Sequence, residues 1–297
     1  MNEISTVAAI VVHHQSLSTI GNTLQDLVRA GVPRSNIVIV DNSEDAGTVA
    51  ALEASAPEGA LVVTVANEGY ASAVNHGRRL LGERSVPPDY VLVATHEIRI
   101  DPDSVRRMVD TMSEQPSAGA VGPLLLRGES EKVWSAGGFL TSWLMHPWHA
   151  EHGRSRSAIP ANQIECDWLD GALVLYRSKV FSGMALPELY FLYFEELDFH
   201  TTLRHQGWKV VCDRRSVARQ QSHGTPLGYR GRNMQIFMFR HASMIRVLVS
   251  TPTDIARHSA KALLGRARFG EVTAMVGGWL AAWKLRLLDG NRIKSAE

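Results

Sequence analysis

The chain has 297 residues, 45% hydrophobic and 21% charged, enough for one large domain with an appendage and too apolar for a disordered segment. A net charge of +1 gives no global field that marks nucleic acid as a partner, and two cysteines, Cys166 and Cys212, are too few for a disulfide framework or a cysteine zinc site. The first residues lack the basic head and apolar run of a secretory signal, and no stretch reaches the roughly 18 apolar residues of a membrane span. A cytoplasmic protein is expected, either free or peripheral at the inner face of the membrane.

Val7 to Val12 is a continuous apolar run, the pattern of a strand covered on both faces of a parallel sheet. Leu17, Ile20, Leu24, Leu27 and Val28 then recur at helical spacing until Gly31 and Pro33. Strand Ile37 to Val40, a helix near Thr48 to Ala56, strand Ala60 to Val65 and a helix opening after Gly69-Tyr70 repeat the alternation. Tyr90 to Ala94 is the next strand, and Val105, Met108, Val109 and Met112 mark another amphipathic helix. The order predicts an α/β fold, an open and mostly parallel twisted sheet flanked by helices. From about Pro123 the periodicity weakens; Met145 to Gln163 reads as a long loop, and Gln235 to Val249 and Glu271 to Leu288 as two helices.

Ligands of such sheets gather at the carboxyl ends of the strands, so the polar residues after each apolar run carry the interest. His13-His14 follows the first strand where a dinucleotide fold would place close-set glycines, and no Walker-type Gly-Lys-Ser/Thr occurs. A nucleotide would be gripped by side chains, with Asp41 either accepting from a base or ribose or serving as a turn residue. His13 and His14 alternate across a strand end and should face opposite ways. Glu195, Glu196 and Asp198 directly follow the aromatic run Tyr190 to Phe194. Aromatic walls raise a carboxyl pKa toward that of a general base, whereas acids in a first helical turn also have a purely structural explanation.

These pieces, in this order, resemble the inverting glycosyltransferases of family 2, which have the GT-A fold. Val38-Ile39-Val40-Asp41-Asn42-Ser43 is similar to the Val-Asp-Asn-Gly-Ser turn of that family, and the run from Asn67 to Gly77 to its Asn-x-Gly-(aromatic)-Ala-x-Ala-x-Asn-x-Gly signature. Asp167 to Ala172 looks like the Trp-x-x-Gly-Ala element, and Phe194 to Asp198 with Arg204 and Gly207-Trp208 like the Glu-Asp-x-Asp block with its Arg-x-x-Gly-Trp tail. The resemblance implies Glu196 as base, with Glu195 and Asp198 in support. It implies donor contacts from His13, Gln15, Asp41, Asn42, Asn67, Gly69, Tyr70, Asn75 and His96, and acceptor contacts from Trp168, Asp170 and Gly171. His223, Arg230 and Arg232 are expected at the diphosphate.

Thr95-His96-Glu97 stands where the family places its metal motif, so either Glu97 holds Mg2+ or Mn2+ with the diphosphate, or His96 neutralises the leaving group without metal. The implied organisation is a GT-A catalytic domain over 1–228, with a donor-binding half (1–122) and an acceptor-binding half (123–228), and a C-terminal helical extension over 229–297. Within the family, the resemblance is to the branch that uses rhamnose-like or galactofuranose-like donors. Implied partners are a nucleotide sugar, dTDP- or UDP-linked, and a sugar, lipid-linked or small-molecule acceptor. Trp279, Trp283 and Leu287 lie at helical spacing, as core or as a homodimer contact. A sugar nucleotidyltransferase would need a basic Gly-rich loop that is missing after the first strand; a non-catalytic scaffold is the reading from another class.

Overall fold

All seven residues of β1 (Val7–His13) are buried, because helices cover both faces of this strand. The computed structural model describes residues 6–221, 224–265, 268–290 and 293. After β1 come α1 (Leu17–Arg29), β2 (Ile37–Asp41), α2 (Ala46–Ser55), β3 (Leu61–Thr64), α3 (Tyr70–Gly82), β4 (Tyr90–Thr95), β5 (Arg99–Ile100) and α4 (Ser104–Glu114). β6 (Ala118–Arg127), β7 (Val133–Ser135), β8 (Gly138–Leu140), β9 (Pro147–His149), β10 (Gln163–Cys166) and β11 (Leu173–Arg177) follow. The chain continues through α5 (Ser178–Gly183), α6 (Glu195–His205), β12 (Lys209–Gln220), α7 (Leu227–His241), α8 (Met244–Leu263) and α9 (Phe269–Leu288).

The main sheet has the order β10-β12-β6-β11-β4-β1-β2-β3, with β5 on β12 and β7 on β6. β3, β2, β1 and β4 form a parallel block; β11 runs against both β4 and β6, and β12 runs parallel to β6. One core layer fills the α1 and α4 side with Leu24, Leu27, Val105 and Met108, and a second fills the α3 and α6 side with Val74, Phe199 and Leu203. Each such side chain, once fully buried, contributes about 1.5–3 kcal/mol.

Three expectations need correction. The helix expected over Gln235 to Val249 is two helices, because the chain turns at Ala242-Ser243 in extended backbone with no Gly or Pro to announce it. The expected loop Met145 to Gln163 contains β9, which pairs with β8 as a hairpin; strands of three residues are too short to show a period. The 122/123 division falls inside β6, so the two halves share one strand.

The C-terminal helices are packed on the domain. At the crossing of α7 and α9 a Cβ on Gly231 would stand 2.0 Å from the Met275 carbonyl oxygen, so only glycine permits that approach. Trp279 Nε1 donates to Gln235 at 3.0 Å and Trp283 meets Phe239 edge to face, whereas Leu287 is exposed. Among the described residues no helix is long and apolar enough to cross a membrane.

Candidate active site

A cleft of about 830 Å³ opens where β1, β2 and β4 end, and its wall includes His14, Asn42, Asn67, Gly69, Tyr70, His96, Glu97, Trp168, Asp170, Gly171, Glu195, Glu196 and Arg230. Residues more than 150 positions apart therefore share one surface. Strand ends release side chains from the apolar layers into solvent, and this sheet releases them together.

On the nucleotide side, His13 and His14 do face opposite ways. His13 is wholly buried, its Nδ1 donating to Asp41 at 2.7 Å and its Nε2 accepting from the Ser16 amide at 3.1 Å. Asp41 is equally buried and also accepts from Ser43 at 2.6 Å. The expected contacts of His13 and Asp41 with a donor thus become a buried brace beneath the turn, and it is His14 and Asn42 that reach the cleft. Asn42 Nδ2 donates to Asn67 Oδ1 at 3.2 Å, joining the two donor-side motifs. Gln15 is another correction: it is exposed outside the cleft wall and fixed through its amide, which donates to Ser43 at 2.7 Å. Asn75 is the third, buried on α3 outside the cleft wall with its side chain clasping the Leu186 backbone and Glu188.

After β4, the turn of His96 and Glu97 is held by Thr23, whose hydroxyl reaches the carbonyls of His96 and Ile98 at 2.9 and 2.8 Å. Burial, with His13 nearby, pushes the His96 pKa down to about 4. The ring is neutral at neutral pH; with Nδ1 donating to the Val12 carbonyl at 3.3 Å, Nε2 is left as an acceptor.

The acidic pair sits on a strained turn. Phe191, Tyr193 and Phe194 have φ of 67°, 68° and 78°, a left-handed region that costs a non-glycine residue about 1–2 kcal/mol each. Several contacts hold it. The Tyr70 amide donates to the Phe191 carbonyl at 2.8 Å, and Gly69, with φ of 100°, lies so close that a Cβ would stand 2.2 Å from the Phe191 oxygen. From α7, Asn233 Nδ2 donates to the carbonyls of Leu192 and Tyr193, both at 2.9 Å, and Arg232 donates to those of Leu189 and Tyr190 at 2.9 and 3.3 Å. Arg232 therefore grips this turn and is not part of the cleft wall; His223 lies outside the described residues.

The turn delivers Glu195 and Glu196 to the first turn of α6. Glu195 is 3% exposed and its Oε2 has no hydrogen-bond partner among the described residues. Glu196 lies at the cleft wall against Gly171, partly exposed. Burial raises both pKa values, and for Glu196 the nearby carboxylates of Glu195 and Asp170 add to it; hydrogen bonds from the helix N-terminus oppose the shift and lose. Tyr193 lies among the same charges: burial, then Glu195, Tyr229, Glu97 and Glu196 push its phenol up. Asp198 points the other way, buried with Arg240, His241 at 3.0 Å and Tyr190 at 2.6 Å. Burial would raise its pKa, but His241 and Arg240 outweigh it and hold the carboxyl below its usual range. Asp198 anchors α6 to α7 and does not line the cleft.

Sequence reasoning missed the wall contributed by the short strands. Trp134 Nε1 donates to Asp170 Oδ2 at 2.8 Å, and His149 packs between Trp134 and Trp168 with ring centroids 5.0 and 4.9 Å away. His258 reaches the cleft from α8. Arg230 lines it too, although its Nε pairs with Asp254 at 2.7 Å. A metal at this site would have Glu97 and the Nε2 lone pair of His96 to bind it. Among the described residues no cluster of three His, Cys, Asp or Glu could hold an ion alone, so these two fit a cation only with oxygens from a bound diphosphate.

Comparison with known proteins agrees with this geometry. The family model described as "Glycosyltransferase like family 2" matches residues 5–242. The chain is 28% identical over 211 residues to the N-acetylglucosaminyl-diphospho-decaprenol L-rhamnosyltransferase of Mycobacterium tuberculosis, covering 64% of this chain and 68% of the relative. Among solved structures it resembles the mannosyltransferase PcManGT of Pyrobaculum calidifontis in complex with GDP-Man and Mn2+, with a TM-score of 0.56, 15% identity and coverage of 96% and 87%. It also resembles GalNAc-T7 with UDP, GalNAc and Mn2+, with a TM-score of 0.57 and 14% identity, over 78% of this chain but only 48% of that one. The fold is that of GT-A glycosyltransferases.

Proposed function

Because the chain belongs to glycosyltransferase family 2 and is a nucleotide-sugar glycosyltransferase, we propose that it inverts the anomeric centre in one displacement, with Glu196 as base. The observation that carries this reading is that Glu196, at the start of α6, and His96-Glu97, after β4, line one cleft. The carboxylate of Glu196 takes the acceptor hydroxyl proton as its oxygen attacks the anomeric carbon, and the bond to the diphosphate breaks on the opposite face. His14, Asn42 and Asn67, from the donor half over 1–122, hold the nucleotide. Trp168, Asp170 and Gly171, with Trp134 and His149, hold the acceptor. Mg2+ or Mn2+, bound by Glu97 and His96 together with the diphosphate, would supply positive charge to the leaving group.

The donor is a rhamnose-like sugar on a dTDP or UDP carrier, and the acceptor a sugar on a polyprenyl diphosphate. The support is the curated relative, an L-rhamnosyltransferase whose name gives a lipid-linked N-acetylglucosamine. Such an acceptor would bring the enzyme to a membrane. Glu196→Gln tests the reading: turnover is expected to fall about 10²-fold or more with donor affinity retained by calorimetry. Near-normal turnover in a folded Glu196→Gln protein would refute the assignment.

A further inference from the structure

α8 has two contrasting faces. Val247, Ser250, Thr251 and Asp254 are buried, whereas Ile245, Leu248, Val249, Ala256, Ala260 and Leu263 form an exposed stripe at helical spacing. Ile245, Leu248 and Leu263 are 66%, 58% and 76% exposed, and Leu264, just after α8, and Phe269, which opens α9, are exposed too. An aromatic residue sits beside the start of the stripe: Arg246 donates to the carbonyls of Trp143 and Ser142 at 2.8 and 3.1 Å, and Trp143 is exposed. Ser250 fastens the same loop through the Leu144 carbonyl at 2.6 Å.

Charge identifies what covers this face. Residues 244–288 contain seven Lys or Arg against two acids, Asp254 and Glu271, while the whole chain carries only +1. Asp254 is buried and paired with Arg230 and Arg257. Arg246 and Arg257 lie about 100–120° around the axis from Ile245, at the rim of the stripe. An apolar stripe with a basic rim and an interfacial Trp is the pattern of a helix lying in the plane of an anionic bilayer. A second copy of the chain would bring two basic segments together, and like charges disfavour that.

We propose that the exposed face of α8, with Leu264, Phe269 and Trp143, docks the protein on an anionic lipid surface. This rests on the transferase reading in one respect: a lipid-linked acceptor gives the cleft reason to sit at a bilayer. α8 serves both, since His258 lines the cleft from the same helix that carries the stripe.

The test is sedimentation of the full chain with phosphatidylcholine vesicles containing about 30% phosphatidylglycerol. Binding is expected, weakened about tenfold or more on pure phosphatidylcholine or in ~0.5 M NaCl. The triple variant Ile245→Ser, Leu248→Ser, Leu263→Ser should bind at least about tenfold more weakly, with melting temperature and nucleotide-sugar binding unchanged. Leu264→Ser with Phe269→Ser repeats the test, should the triple variant not fold. Wild-type protein left in the supernatant, or variants that bind as well as wild type, would overturn the proposal. So would a solution dimer that the substitutions convert to monomer, which would give the face to a second copy. Wild-type protein that binds vesicles but no nucleotide sugar would count against the transferase reading alone.

Discussion

Asn233 is buried and distant in sequence from Glu196, yet its removal should cripple turnover. Its Nδ2 donates to the Leu192 and Tyr193 carbonyls, both at 2.9 Å, and its Oδ1 accepts from Arg232 at 2.8 Å. Asn233→Ala loses three hydrogen bonds; the two to the turn, worth about 1 kcal/mol each, leave their carbonyls short of a partner, for a total of about 2–4 kcal/mol. The three left-handed residues in the turn store about 3–6 kcal/mol, so a loss of that size is enough to let the turn relax. A shift of about 1 Å in a catalytic group costs on the order of 10²-fold. Steady-state kinetics should therefore show kcat reduced about 10²-fold with donor KM within about threefold, and calorimetry a melting temperature lower by several degrees. Asn233→Asp keeps the shape but turns an oxygen toward the two carbonyls, so it should do no better than alanine. If Asn233→Ala keeps near-wild-type kcat, or raises only donor KM, the clasp does not position the acids.

Other outcomes follow from the same geometry. A base works ionised, and burial raises the Glu195 and Glu196 pKa values above the ordinary 4.5, so kcat/KM should climb with pH through an acid limb well above that value. Glu195→Gln removes a neighbouring charge and should move the limb to lower pH, while burial keeps it above 4.5. The folded state holds these protons more tightly than the unfolded one, so the pair's contribution to stability is greatest below about 4.5 and is lost as pH rises through the folded value. Melting curves of Glu196→Gln against pH should show less of that loss. Gly77→Ala would put a Cβ 2.7 Å from Ile10 Cγ2 where α3 crosses β1, costing about 1–3 kcal/mol in denaturant unfolding. Glu97→Ala should raise the Mn2+ concentration for half-maximal activity about tenfold or more; an unchanged requirement would remove Glu97 from the cation's ligands.

Legibility in the sequence followed the range of the forces. The donor side could be read because β1, β2 and β4 are covered on both faces, which makes each an apolar run with a polar end. Which polar residue would reach the cleft was not readable. Asp41 and His13 have the right character, but a buried carboxylate needs partners, and its Oδ1 takes them from His13 and Ser43. The acceptor side was hidden for another reason: Trp134 and His149 sit on three-residue strands, and their meeting with Asp170 and Trp168 is wholly tertiary. Arg232 was expected at the diphosphate; its hold on the turn, like that of Asn233, was not readable because their partners are carbonyl groups that every residue has.

The two adjacent glutamates need not share one role. Two carboxylates this close and this poorly solvated resist ionising together. Glu195 is almost enclosed, with an oxygen that has no partner among the described residues, whereas Glu196 lies at the cleft wall beside Gly171. The pair titrates as one unit, with both carboxyls raised by burial and Glu196 raised further by the Glu195 and Asp170 charges. The strained turn makes this asymmetry possible: its left-handed backbone through Phe194 starts α6 so that consecutive side chains point one inward and one to the cleft. Gly69-Tyr70 and Arg232-Asn233 grip the turn from the donor side and from the C-terminal helices, so both regions bear on where the base stands in the cleft.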